Sequence, residues 1–195
     1  MKGLVASSLI LLISFVSGCT QDIHSREGFF KYVKDKDNGL LQEVKKSDVL
    51  TSASYVPFQI IYNKKWNFQK NSNSNSGKSS KICFIISFSR NGKELLSQLD
   101  LNVYSDVLQT LSFQMIPLVS LKMDDEHVIS PTDCLFQQTY GLSPANELLL
   151  VFDSDEIKAS KKYSLTIEDF GIGLGELKYN FLRGDIDRLN KALKI

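Results

Sequence analysis

Alternation between apolar and polar side chains is the dominant pattern along the chain. In residues 81–90, KICFIISFSR, Ile82, Phe84, Ile86 and Phe88 fall on one side, and Cys83, Ile85, Ser87 and Ser89 on the other. That is the period of a strand, and the turn signal Asn91-Gly92 follows it directly. Residues 134–140, 146–153, 162–169 and 175–182 are further short β-runs at regular spacing. Residues 107–123 read as one bent strand or two, with Pro117 at an edge or bulge, and 55–62 as β-forming with Pro57 demoting the first half. This rhythm predicts a mainly all-β domain, an antiparallel β-sandwich or open barrel. The period changes only at the end. Ile186, Leu189 and Leu193 recur at helical spacing behind Asp185 as a cap, which predicts a short C-terminal helix against one end or edge of the sheet.

Elsewhere the pattern is weaker. Residues 20–38 are polar around Phe29, Phe30 and Tyr32, and are expected to form a tether with one short helical turn. Residues 63–71 read as a short helix or turn anchored by Trp66, and 71–81, rich in Asn and Ser, as a mobile surface loop. No repeat and no internal boundary is visible. The expected organisation is 1–18 as a removed leader, 19–39 as a tether and 40–195 as a single β-rich domain.

The leader is read from Lys2 and the apolar run Leu4–Val16, too short for a bilayer span of about 20 residues but suited to the apolar core of a signal peptide. Val16-Ser17-Gly18-Cys19 resembles a bacterial lipobox. The resemblance implies cleavage between Gly18 and Cys19, and a diacylglyceryl group on the Cys19 thiol. Two or more acyl chains hold a protein durably on a membrane, where one is marginal.

Composition narrows the function. Without residues 1–18 the chain has 177 residues, enough for one domain with a core. Lys2 leaves with them, so 22 basic side chains face 22 acidic ones. No basic stripe suggests a nucleic-acid partner. Cys83 and Cys134 could be paired in an oxidising compartment, or could be buried free thiols.

Candidate chemistry is sparse. GIGLG at 171–175 lacks the third glycine of a dinucleotide fingerprint, since Glu176 stands there, and a strand-like run follows it where a helix is required. It reads as a loop between strands. GLSPA at 141–145 resembles a serine-hydrolase elbow, but Pro144 removes the N–H that would serve as oxyanion donor, so Ser143 is a poor nucleophile. His24 lies in the expected tether. His127, beside Asp124, Asp125 and Glu126, reads as a solvated hairpin turn. Neither that acidic run nor DSDE at 153–156 has calcium-loop spacing. Glu168-Asp169 is the least implausible acidic pair, yet neighbours on a strand point to opposite faces. No catalytic residue, metal site or cofactor is expected.

NGLLQEVKKSDVLTSASYVPFQIIY, CLFQQTYGLSPANELLLVF and LTIEDFGIGLGELKYNF resemble parts of small lipoproteins of the Bacteroidetes group. The resemblance carries over no catalytic residue. Surface-exported lipoproteins of that group tend to carry an acidic run soon after the cysteine; CTQDIHSRE, residues 19–27, has only Asp22 and Glu27, so the resemblance implies the periplasmic side of the outer membrane over the cell surface. The expectation is therefore a lipid-anchored envelope lipoprotein, a non-enzymatic binding or assembly module for an envelope protein. Trp66 and Tyr140 are candidate contact aromatics. The alternatives are a carrier of a small apolar ligand and an envelope hydrolase with a fold-assembled site.

Overall fold

The computed structural model describes Ile23, residues 25–62, residues 81–153, Ile157 and residues 160–195. The elements, in chain order, are α1 (Arg26–Lys34), β1 (Leu41–Lys46), β2 (Val49–Tyr55), α2 (Phe58–Tyr62), β3 (Lys81–Arg90), β4 (Lys93–Glu94), α3 (Leu101–Phe113), β5 (Val119–Met123), β6 (Val128–Ile129), β7 (Asp133–Gln137), β8 (Asn146–Asp153), β9 (Lys162–Ile167), β10 (Leu177–Leu182) and α4 (Arg183–Leu193).

They build two antiparallel sheets, one in the order β1-β2-β3-β8-β7 with β4 hung on β3, the other in the order β10-β9-β5-β6. Both sheets are open, so the mainly β expectation holds in its sandwich form and not as a closed barrel. The alternation in β3 sets the register. Ile82, Phe84 and Ile86 face Phe152, Leu150 and Leu148 on β8, and these side chains are buried between the sheets. Phe84 reaches across to Phe181 of β10, with ring centroids 4.8 Å apart. The Tyr179 hydroxyl donates to Thr51 Oγ1 at 2.7 Å, joining β10 to β2 inside the core. Burial pushes the Tyr179 phenol up to about 12. The Asn91-Gly92 turn, with φ of 52° and 73°, closes the β3–β4 hairpin as the sequence signal requires.

Three segments depart from expectation. Residues 107–113 belong to helix α3 rather than to a strand. Val107 and Leu111, at i and i+4, are its buried side, so helical spacing outweighed the β-branched composition. Pro117 lies in a 3-10 turn, Ile116–Leu118, that leads into β5. In 55–62 the strand stops at Tyr55, and α2 follows Pro57. The expected tether over 19–39 is folded from residue 26: α1 is capped by the Ser25 hydroxyl, and Phe29 and Val33 are buried. Ile23 also joins the core. A helix with i, i+4 apolar side chains gains more by docking against β2 than by staying in water.

Asp185 is not the cap of α4. It lies in the first turn behind Leu182, pairs with Arg188 and sits so close to Gly39 that a Cβ there would collide with its carboxylate. Ile186, Leu189 and Leu193 are the buried side, as their spacing predicts. Cys83 and Cys134 are both free. Cys83 stands opposite Val151 on β8, and Cys134 opposite the next residue, Leu150. They are therefore two strand spacings apart and on opposite faces of the sheet. Burial pushes each thiol up to about 12.

The sandwich has two distinct ends. At the helix pole Tyr55 N bonds Leu40 O at 2.9 Å and the Tyr55 hydroxyl bonds Asn190 of α4 at 3.1 Å. At the loop pole lie the β1–β2 and β3–β4 turns and the loops after β7 and β9. β3 alone, ten residues long, separates the poles by about 30 Å.

Candidate functional site

The loop pole is organised by two carboxylates. β4 ends on Glu94 directly after the hairpin, and its side chain turns under residues 139–146. Oε1 accepts from the Thr139 hydroxyl and from Ser143 N at 3.0 Å. Oε2 accepts from Gly141 N at 2.9 Å and from Asn146 Nδ2 at 3.2 Å. Asn146 in turn accepts from Leu96 N at 2.8 Å. Glu94 is only 2% exposed. Burial by itself would push its carboxyl up; the hydrogen bonds from Thr139, Gly141, Ser143 and Asn146 outweigh that and hold it below the ordinary range.

Over this floor the chain makes a tight turn, with φ of 52° at Tyr140 and 80° at Gly141. The turn displays Tyr140 and Leu142 at 79% and 91% exposure. Beside it Gln138 Nε2 donates to the Tyr104 hydroxyl of α3 at 2.9 Å. Between α3 and the turn is a cleft of about 250 Å³ lined by Leu96, Ser97, Tyr104, Gln138 and Tyr140 over Glu94.

The second carboxylate is Asp169. Its Oδ1 accepts from the backbone N–H of Gly171, Ile172 and Gly173 at 3.1–3.2 Å, and its Oδ2 from Gly175 N at 3.0 Å. Gly171, Gly173 and Gly175 have φ of 92°, 71° and 62°, a left-handed conformation that turns successive amides inward. GIGLG is thus a backbone cradle for an anion, and the chain's own carboxylate occupies it. Lys46 Nζ closes the other side, donating to Leu174 O and Glu176 O at 2.7 and 2.6 Å.

The remaining candidates are not brought together. Ser143 lies at the loop pole. Its hydroxyl faces Ala145 N at 3.5 Å and its own N–H is taken by Glu94. His127 lies at the helix pole in the β5–β6 turn, where Met123 N bonds its carbonyl at 2.8 Å. Next to it Asp124 accepts from the Ser160 hydroxyl at 2.8 Å and from Lys161 N at 3.1 Å, which hold its carboxyl below the ordinary range. Glu126 pairs with Lys122, and Asp125 accepts from His127 N. Glu168 is exposed, with its N–H on Leu118 O, so Glu168 and Asp169 do not act as a couple. Asp153 pairs with Lys81 at 3.7 Å. Among the described residues no group of His, Cys, Asp and Glu has the arrangement of a metal site.

Gly18, Cys19, His24, Trp66 and the Asn/Ser-rich segment 71–80 lie outside the described residues. Glu94 was missed by sequence reasoning, because its partners are 45–52 positions away. Compared with protein-family models, curated proteins and solved structures, the chain matches none.

Proposed function

We propose that the protein is a lipoprotein of the bacterial cell envelope, acylated at Cys19 after loss of residues 1–18 and anchored in the outer membrane facing the periplasm. Its domain is a non-enzymatic binding or assembly module for an envelope protein. The observation that carries the binding reading is the 138–142 turn. An aromatic and a branched aliphatic side chain are almost fully exposed on backbone clamped from beneath by a buried carboxylate. With the backbone of the turn already held, less ordering is left to be done when a partner covers these side chains, and that favours recognition.

The carrier reading is weakened by the interior. The rings of Phe84, Phe152 and Phe181 pack against one another between the sheets, as do Phe88 and Phe170. The hydrolase reading is weakened by the occupation of Asp169, Glu94 and Ser143 in loop hydrogen bonds.

A photo-crosslinking residue at Leu142 tests the proposal in the lipidated protein in its membrane, with one at exposed Lys178 of β10 as control. One discrete protein adduct from position 142 and none from 178 is expected. Equal labelling from both positions defeats the binding surface. Turnover of peptide, glycan or ester by the purified domain, abolished by a single change at Glu168, Asp169 or Ser143 that leaves it folded, establishes the hydrolase instead.

A further inference from the structure

We propose that the helix pole is the membrane-facing side of the protein: α1 and α4 rest against an anionic lipid surface and the loop pole is held away from it. This rests on the acylation of Cys19. The first argument is length. Ile23 is 7% exposed and belongs to the core, and only four Cα steps separate it from Cys19. Fully extended, those steps span about 14 Å, about twice the roughly 5–8 Å interfacial layer on each side of a bilayer. The anchored domain is therefore held near the lipid, with the surface around the entry of the chain closest to it.

The element nearest to that entry along the chain is α1. The helix starts three residues after Ile23 and runs through residues 36–40 into the pole where Leu40 meets Tyr55. α4 packs at the same pole through Asn190.

Charge is the second argument. The mature chain is formally neutral, yet α1 and α4 carry six basic side chains against three acidic ones. Lys31, Lys34, Arg188 and Lys191 are exposed, and Lys194 follows at the end of α4. Asp185 is taken up by Arg188 and Asp187 by Arg183. In the turn after α1, Asp35 accepts from Asp37 N and Lys36 pairs with Glu43 at 2.7 Å; at the same pole the β5–β6 turn sets Asp124, Asp125 and Glu126 against Lys122 and Lys161, so these acids reduce the surplus without cancelling it. Phe30, half-buried with the Arg26 guanidinium 6.0 Å over its ring, adds an aromatic flanked by basic groups, the combination enriched at lipid interfaces. The loop pole, which carries Tyr140 and Leu142, is then about 30 Å farther out.

The test uses full-length lipidated protein in vesicles of phosphatidylethanolamine containing phosphatidylglycerol. A fluorophore is placed through Ala192→Cys on α4 or Leu142→Cys on the turn, each in a Cys134→Ser background, with a headgroup quencher in the lipid. Quenching severalfold stronger at position 192 than at 142 is expected. Combined Lys31→Glu, Lys34→Glu and Lys191→Glu should narrow that difference while the protein stays on the vesicles. Equal quenching at both sites, stronger quenching at 142, or a difference untouched by charge reversal overturns the proposal. A mature chain without acyl groups overturns the lipoprotein reading first, and this orientation with it.

Discussion

Glu94 and Asp169 perform the same task with the same number of hydrogen bonds, in opposite surroundings. Each carboxylate fastens a loop by accepting four donors. Glu94 does so from inside the protein, and two of its donors are side chains; Asp169 does so in solvent, entirely through backbone amides. The lesson is that a count of hydrogen bonds does not rank them. Remove Asp169 and water can reach the abandoned amides. Remove Glu94 and the part-buried amides of Gly141 and Ser143 lose their acceptor together with the buried Asn146 side chain; an unsatisfied buried group costs about 1–3 kcal/mol.

The sharpest way to break the comparison is to delete each carboxylate. Glu94→Ala is expected to lower unfolding free energy by about 3–5 kcal/mol, measured by denaturant titration. Glu94→Gln keeps the shape but points an NH₂ at donors, and should recover only part of that loss. A cost below that of the Asp169 variant would refute the ranking.

Acid provides the next test. The Glu94 carboxyl is held below its ordinary value of 4.5, so the native state prefers it ionised. Its contribution is complete above that value and is lost as pH falls through the lower native value. The amide resonances of Gly141 and Ser143 should titrate together below the ordinary carboxylate range, and the acid limb of thermal stability should flatten in Glu94→Gln. Titration of both amides at or above 4.5 would contradict this sign.

Asp169→Ala should cost about 1 kcal/mol, with faster amide exchange confined to residues 171–175 and no change at 141 or 143. Exchange that spreads to the other loop would show that α3, whose Val107 lies next to the space above Gly171 and whose Tyr104 accepts from Gln138, couples the two. The smallest stability effect belongs to the exposed turn. Tyr140→Ala should stay within about 0.5 kcal/mol of the parent, yet eliminate the adduct formed by the crosslinking residue at position 142.

How far the sequence revealed this architecture follows from the range of the interactions involved. Strands β3, β9 and β10 were legible because alternation is written into consecutive residues, β8 because it is a short β-forming apolar run, and the C-terminal helix because Ile186, Leu189 and Leu193 carry their own period. The Asp169 loop was half legible. Glycines at 171, 173 and 175 mark a turn, and an aspartate two residues ahead is a usual partner for such amides, though Glu168 beside it gives the same stretch the look of an acidic pair. In α1, Ser25 as cap with Phe29 and Val33 one turn apart was a readable signal obscured by polar neighbours. In α3 a helical spacing was hidden among β-branched and aromatic residues. The Glu94 floor had no local trace at all, since only folding brings β4 under the turn that follows β7.

The separation of Cys83 and Cys134 matters before folding is complete. In the native sandwich β8 lies between the two thiols and each points away from the other, but an unfolded chain has no such partition. In an oxidising compartment the two can join while the chain is extended, and the resulting loop would pin β7 against β3, where β8 must insert. Sequestration of the thiols and insertion of β8 are then one event, a race between folding and oxidation. Oxidant added to denatured protein should produce a trapped fraction that regains native structure only after reduction, and Cys134→Ser should escape the trap.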